Sequence, residues 1–134
     1  MIPIPDAISI VRTALYAALS PLCGTYQGLP RCYWLVAAQG APLPLLVYQS
    51  QDGGGQDASL LGQGGWAGLI TVKALASSPS AAEALLAGVP AALEGLSAPA
   101  GYTIRATFNR PLVLPPKDTV WQAAHIYRIQ LYRA

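Results

Sequence analysis

The chain has 134 residues, of which 53% are hydrophobic and only 10% charged, where an ordinary soluble domain carries roughly 25% charged residues. That length fits one α+β domain over residues 1–134 with one core, and the shortage of ionisable side chains leaves little from which to build a catalytic centre. The eight basic and six acidic residues give a net charge of +2, and the basic ones are spread along the chain rather than gathered in the linear patch of a nucleic-acid binder.

Positive mean hydropathy makes a membrane span worth testing. The longest uncharged stretch, from Cys32 to Gln51, is broken by Gly40, Pro42 and Pro44, which interrupt a spanning helix near its middle. Asp6 and Arg12 fall within the first apolar run, which has no basic start, so it does not read as a signal peptide. The expectation is a soluble, intracellular chain. In that setting Cys23 and Cys32 are expected to be reduced, small buried side chains.

The first predicted element is a helix over residues 6–20, capped by Asp6. Ile8, Val11, Leu15, Ala18 and Leu19 recur at helical spacing, and Pro21 and Gly24 end it. Residues 31–38 and 43–50 read as two strands joined by Gln39-Gly40-Ala41-Pro42, a hairpin with Pro44 at a strand start or sheet edge. Residues 52–64 read as a long glycine-rich loop. A third strand follows over 66–76, with Trp66, Gly68, Ile70, Val72 and Ala74 on one face.

Ser80 and Glu83 have capping-box spacing at the start of a second helix, whose apolar stripe runs through Leu85, Leu86, Val89, Leu93 and Leu96. Pro90 predicts a kink or split in it, and Gly95 a stop. Residues 102–108 alternate as a fourth strand, 109–118 read as a proline-stiffened linker, and 119–133 as the last strand. On that strand Trp121, Ala123, His125, Tyr127, Ile129 and Leu131 share a face. The order α-β-β-β-α-β-β implies a mainly antiparallel sheet of about five strands with two helices on one face.

Catalysis needs an acid, a base or an assisted nucleophile. His125 is the only histidine, and the alternation puts it on an apolar strand face. Asp6 and Glu83 have helix-start positions. Asp52 and Asp57 lie in the glycine-rich loop without the ligand spacing of a calcium loop. Gly53-Gly54-Gly55 lacks the Lys-Ser/Thr ending of a phosphate-binding loop, and Gly62-Gln63-Gly64-Gly65 precedes a strand rather than a helix. No catalytic residue, metal ligand or cofactor site is therefore assigned.

Several segments together resemble the tail-completion or tail-terminator proteins of long-tailed phages. They are the N-terminal Ile10-Val11-Arg12-Thr13-Ala14-Leu15 helix, Tyr26-Gln27-Gly28-Leu29-Pro30, Pro44-Leu45-Leu46-Val47-Tyr48-Gln49, and the strand from Trp66 through Ile70-Thr71-Val72-Lys73. The resemblance implies a non-enzymatic virion protein that caps the tail tube and joins it to the head as a ring, usually of six copies. Its implied partners are the tail tube protein and a head-connector protein, with nucleic acid at most passing through the lumen. No catalytic residues come with it.

A ring protein needs neighbouring surfaces and arms that order on assembly. The arm is sought in the glycine-rich loop, at Asp52, Gly53, Gly54, Gly55, Gln56, Asp57, Leu60, Leu61 and Gln63. A second surface is sought on the polar strand faces, at Arg105, Arg128 and Arg133. Either stretch also reads as a plain solvated loop or sheet face. From another class comes a small-ligand-binding domain with Trp34, Trp66 and Trp121 lining an apolar pocket.

Overall fold

The computed structural model of the chain describes residues 4–51, 55–57 and 65–133. Helix α1 (Ile4–Leu19) opens the fold. Ala7, Val11, Ala14, Leu15 and Leu19 recur every three or four residues and are all buried. Asp6 lies inside the first turn rather than capping the helix, where its carboxylate still faces the positive end of the helix dipole. Pro21 stops the helix, and Ser20–Leu22 tightens into a single 3-10 turn.

Strands β1 (Thr25–Tyr26) and β2 (Leu29–Pro30) then form a small hairpin of their own. Its two-residue turn, Gln27-Gly28, has both residues at positive φ, 54° and 80°, as a tight hairpin turn demands. This hairpin is not among the elements predicted from the sequence.

Among the described residues the main sheet has six strands. Strands β3 (Cys32–Trp34), β4 (Leu45–Ser50), β5 (Gly55–Asp57), β6 (Gly65–Ala76), β7 (Tyr102–Val113) and β8 (Trp121–Arg133) run in the order β3-β4-β6-β8-β7, with β5 also paired to β6. Most pairs are antiparallel, but β3 lies parallel to β4, Cys32 opposite Leu46 and Trp34 opposite Tyr48. The expected hairpin between 31–38 and 43–50 is thus absent. The turn at Gln39-Gly40 does form, with Ala41 N–H donating to Ala38 O at 3.1 Å. It sits inside a connection that carries the chain back to the same end of the sheet: Leu35 N–H donates to Tyr48 O at 3.0 Å, and Leu35 then turns away at φ 70°.

Strands β4 and β5 occupy successive lengths of the same edge of β6, at Ile70–Leu75 and Gly65–Ala67. Gln51 bridges toward the gap, donating its N–H to Leu69 O at 3.1 Å and its amide to Thr71 Oγ1 at 3.0 Å. Residues 55–57 of the expected 52–64 loop are therefore strand. Strand β7 also runs past residue 108 through Pro111, by way of a bulge between Phe108 and Arg110. The proline lacks an N–H, but β7 is an edge strand, where no ladder bond is lost on its open side.

The second helical region divides into α2 (Pro79–Ala87) and α3 (Val89–Glu94). The split falls at Gly88, and Pro90 occupies the first turn of α3, where a missing N–H costs nothing. A side chain at residue 88 would come within 3.0 Å of Leu22, so glycine lets the junction press against the turn that ends α1. The cap of α2 is Ser78, whose Oγ accepts from Ala81 N–H at 3.2 Å, not Ser80. Pro79 sets this, since it takes the first helical position and holds Ser78 extended before it.

The helices join one face of the sheet in a single core. It is built from α1, α2, α3, the even positions of β4, β6 and β7, and the odd positions of β8. Trp66, Ile70, Val72, Ile129 and Leu131 are among its fully buried sheet residues, each worth about 1.5–3 kcal/mol when withdrawn from water.

Candidate interaction surfaces and the pockets between them

The helix-free face of the sheet carries the opposite phase of each strand. Leu45 and Val47 on β4, Thr71 on β6, and Ala124, Ile126 and Gln130 on β8 are buried there, outside the helix-side core. Among them stand four cations. Lys73 pairs with Ala124, Arg128 with Leu69, Arg105 with Gln130, and Arg110, shifted by the bulge, with Ile126. Arg105 and Arg110 are exposed, and Lys73 and Arg128 half-buried. Arg105 Nη2 donates to Gln130 Oε1 at 2.9 Å, which lays its aliphatic stem across the sheet.

Three of the six acids lie on the helix layer. Asp6, Glu83 and Glu94 are all exposed on α1, α2 and α3, where Arg12 is the one helical cation. The helices thus carry mainly carboxylates, while the helix-free sheet face carries Lys73, Arg105, Arg110 and Arg128.

The residues expected at a contact surface are not brought to one place. Arg105 and Arg128 share the helix-free face, but Arg133 is one residue out of phase with Arg128 and sits exposed at the end of β8 opposite Tyr102. Gly55, Gln56 and Asp57 pair with Ala67, Trp66 and Gly65. Asp52, Gly53, Gly54, Leu60, Leu61 and Gln63 lie outside the described residues. Lys73 was legible from its phase in the predicted 66–76 strand, whereas the face of Arg110 is set by a bulge that leaves no periodic signal.

The tryptophans diverge. Trp66 is 1% exposed in the core and Trp121 is 39% exposed at the start of β8. Trp34 packs edge-on to Tyr48 at 5.4 Å, beside a cleft of about 390 Å³ between α1 and β3 that is also lined by Arg12, Tyr16, Tyr33 and Val36. Burial raises the Tyr48 phenol well above its ordinary range.

His125 lies on the helix-side phase of β8, as the alternation predicts. Its Nδ1 is 3.0 Å from Tyr127 Oη, and Phe108 stands edge-on to the ring at 5.1 Å. Burial lowers the imidazole pKa and pushes the Tyr127 phenol up to about 12. His125 and Glu83 both line a smaller cleft of about 240 Å³. Among the described residues, no three His, Cys, Asp or Glu side chains are grouped to hold a metal ion, and no helix is long and apolar enough to cross a membrane.

A single-domain, mainly antiparallel α+β fold with helices layered on one sheet face is the class these features define. The chain is similar in fold to a chain from the virion of a native gene transfer agent particle, with a TM-score of 0.68 and 18% sequence identity. The match covers 94% of this chain and 97% of that one. No protein-family model matches the sequence, and no curated protein matches it.

Proposed function

We propose that this chain is a non-enzymatic structural component of a phage-like particle, of the tail-completion or tail-terminator kind. In this role it caps the tail tube and helps join tail to head as a ring of copies, six by the family resemblance. Its partners are then further copies of itself, the tail tube protein and a head-connector protein, its location is the virion, and nucleic acid at most passes through the lumen. The carrying observation is the likeness of fold to a virion chain over 94% of this chain and 97% of that one.

The sorting of charge by layer supports a ring. A head-to-tail contact joins two different patches and closes into a ring when the rotation allows. Carboxylates on one layer and cations on the other favour that contact over a symmetric one. The glycine-rich segment from Asp52 to Gln63 is assigned as an arm over neighbouring copies, and Arg105 and Arg128 to the subunit contact.

The test is light scattering and electron microscopy of the purified chain over a wide concentration range, with and without tail tubes. Rings, or decoration of tube ends, are expected. A chain that stays monomeric at every concentration and never associates with tubes overturns the reading. The cleft beside Trp34 favours a second reading, since its volume falls in the range of small-ligand sites. The separation of Trp66 and Trp121 from that cleft counts against an aromatic-lined pocket.

A further inference from the structure

The β1–β2 hairpin has a consequence for the two cysteines. Its register pairs Tyr26 with Leu29 and Thr25 with Pro30, and Arg31 N–H continues the ladder by donating to Gly24 O at 2.8 Å. One further step on each side sets Cys23 opposite Cys32. The Arg31 carbonyl turns instead to Leu46 N–H at 3.0 Å, so the ladder ends there and the cysteines form the next, non-hydrogen-bonded pair. Such pairs bring Cα atoms to about 4.5 Å, inside the roughly 4.4–6.8 Å range that a disulfide spans.

The side chains agree with the register. Both cysteines are free thiols, Cys32 buried and Cys23 half-buried. Cys23 Sγ donates to Leu19 O at 3.7 Å, and the neighbouring thiols act on each other, Cys32 lowering the pKa of Cys23 and Cys23 raising that of Cys32. The positive Arg31 guanidinium lowers Cys23 further. The accessible thiol is thus the more acidic one, and the buried thiol waits behind it.

We propose that Cys23 and Cys32 are a reversible dithiol–disulfide pair that staples the end of the helix layer to the edge of the sheet. Cys23 thiolate attacks one sulfur of a low-molecular-weight disulfide of the glutathione type, forming a mixed disulfide and expelling one thiolate. Cys32 then gives up its proton and attacks Cys23 Sγ, expelling the second thiolate. The two protein thiols are oxidised to one disulfide, the external disulfide is reduced to two thiols, and the cysteine protons pass to the leaving thiolates.

The bridge closes a loop of about ten residues, which restricts the unfolded chain far more than the folded one. It also ties down β3, the three-residue edge strand that begins at Cys32. In a particle, a use follows: the chain assembles reduced in a cytoplasm and is locked once released into an oxidising medium. That use rests on the function proposed above, while the chemistry does not.

The test uses the isolated chain, so its outcome is independent of ring formation. Native protein is equilibrated with glutathione–glutathione disulfide mixtures, and thiols, intact mass and Tm are read. The expected result is loss of both thiols within one chain, with no retained adduct, and a Tm raised by about 5–10 °C that dithiothreitol reverses. Cys32→Ser should accumulate a glutathione adduct on Cys23, and Cys23→Ser should stay unmodified while folded. The proposal is overturned if native protein keeps both thiols where urea-unfolded protein oxidises. It is equally overturned if cross-links form mainly between chains, or if oxidation leaves Tm unchanged or lower. The wild-type measurements decide the matter even if a serine at the buried position prevents folding.

Discussion

Replacing Trp66 with alanine tests the register of the whole sheet. Trp66 is 1% exposed, opposite Leu131 on β8 and Gln56 on β5. A buried aromatic withdraws about 150–250 Å² from water, and truncating one to alanine costs about 3–5 kcal/mol once the residual cavity is included. A domain of this size holds about 5–15 kcal/mol in all, so Trp66→Ala should remove a large part of its stability. At about 3–4 °C per kcal/mol, the melting temperature should fall by roughly 10–20 °C. Urea unfolding followed by far-UV circular dichroism avoids the lost fluorophore and should give a lower midpoint at nearly unchanged slope. Trp121→Ala is the internal control, because that ring is 39% exposed and its loss should cost under about 1 kcal/mol. Equal costs for the two substitutions would refute the reasoning, since a one-residue slip of β6 turns every side chain to the opposite face.

Ser78→Ala should destabilise the chain by about 1 kcal/mol through loss of the α2 cap, while Ser80→Ala should cost only a few tenths, as chemical denaturation would resolve. Burial lowers the His125 pKa, so the unfolded chain binds its proton at a higher pH than the folded chain does, and stability should decline as pH falls below about 6.5. Urea midpoints at about pH 7.5 and about pH 5.5 should differ in the wild type and converge in His125→Phe, because this is the only histidine. Reversing the sheet cations, Arg105→Glu with Arg110→Glu, should abolish self-association. Mixing that variant with one carrying Glu83→Lys and Glu94→Lys should restore it, and light scattering at low salt reads both outcomes.

The long, alternating segments were legible. The 66–76 pattern foretold β6 to within a residue, and the odd positions from Trp121 to Leu131 took the core phase of β8, because a sheet with one helix-covered face enforces period two. The errors came where local signals are ambiguous about partners. Gln39-Gly40 does make a turn, but a turn signal does not say that its flanks pair. Gln27-Gly28 is the true two-residue hairpin turn, and it lacks the Asn-Gly or Asp-Gly signature that marks such turns most strongly. Ser80 with Glu83 has ideal capping-box spacing, yet the helix starts at Pro79 with Ser78 as its cap, two residues earlier. Pro111 argued for a linker, and only the edge position of β7, a tertiary fact, makes a strand there tolerable.

The candidate surface depends on the same kind of tertiary fact. Along the chain Lys73, Arg105, Arg110 and Arg128 are isolated charges with no common spacing. The register places odd positions of β6 and β7 beside even positions of β8, and the bulge at Phe108–Arg110 brings Arg110 into that phase. Without the bulge Arg110 would point to the helix side, where burying a guanidinium against Leu86 and the other core residues is costly. The bulge thus keeps an edge strand irregular, which discourages uncontrolled pairing, and adds a cation to the one face that lacks helices. Both effects favour association through faces of opposite charge over strand-to-strand aggregation. A chain with so few charges is therefore better suited to a specific contact than its composition implies, because four of the five cations on the main sheet strands stand on the same side.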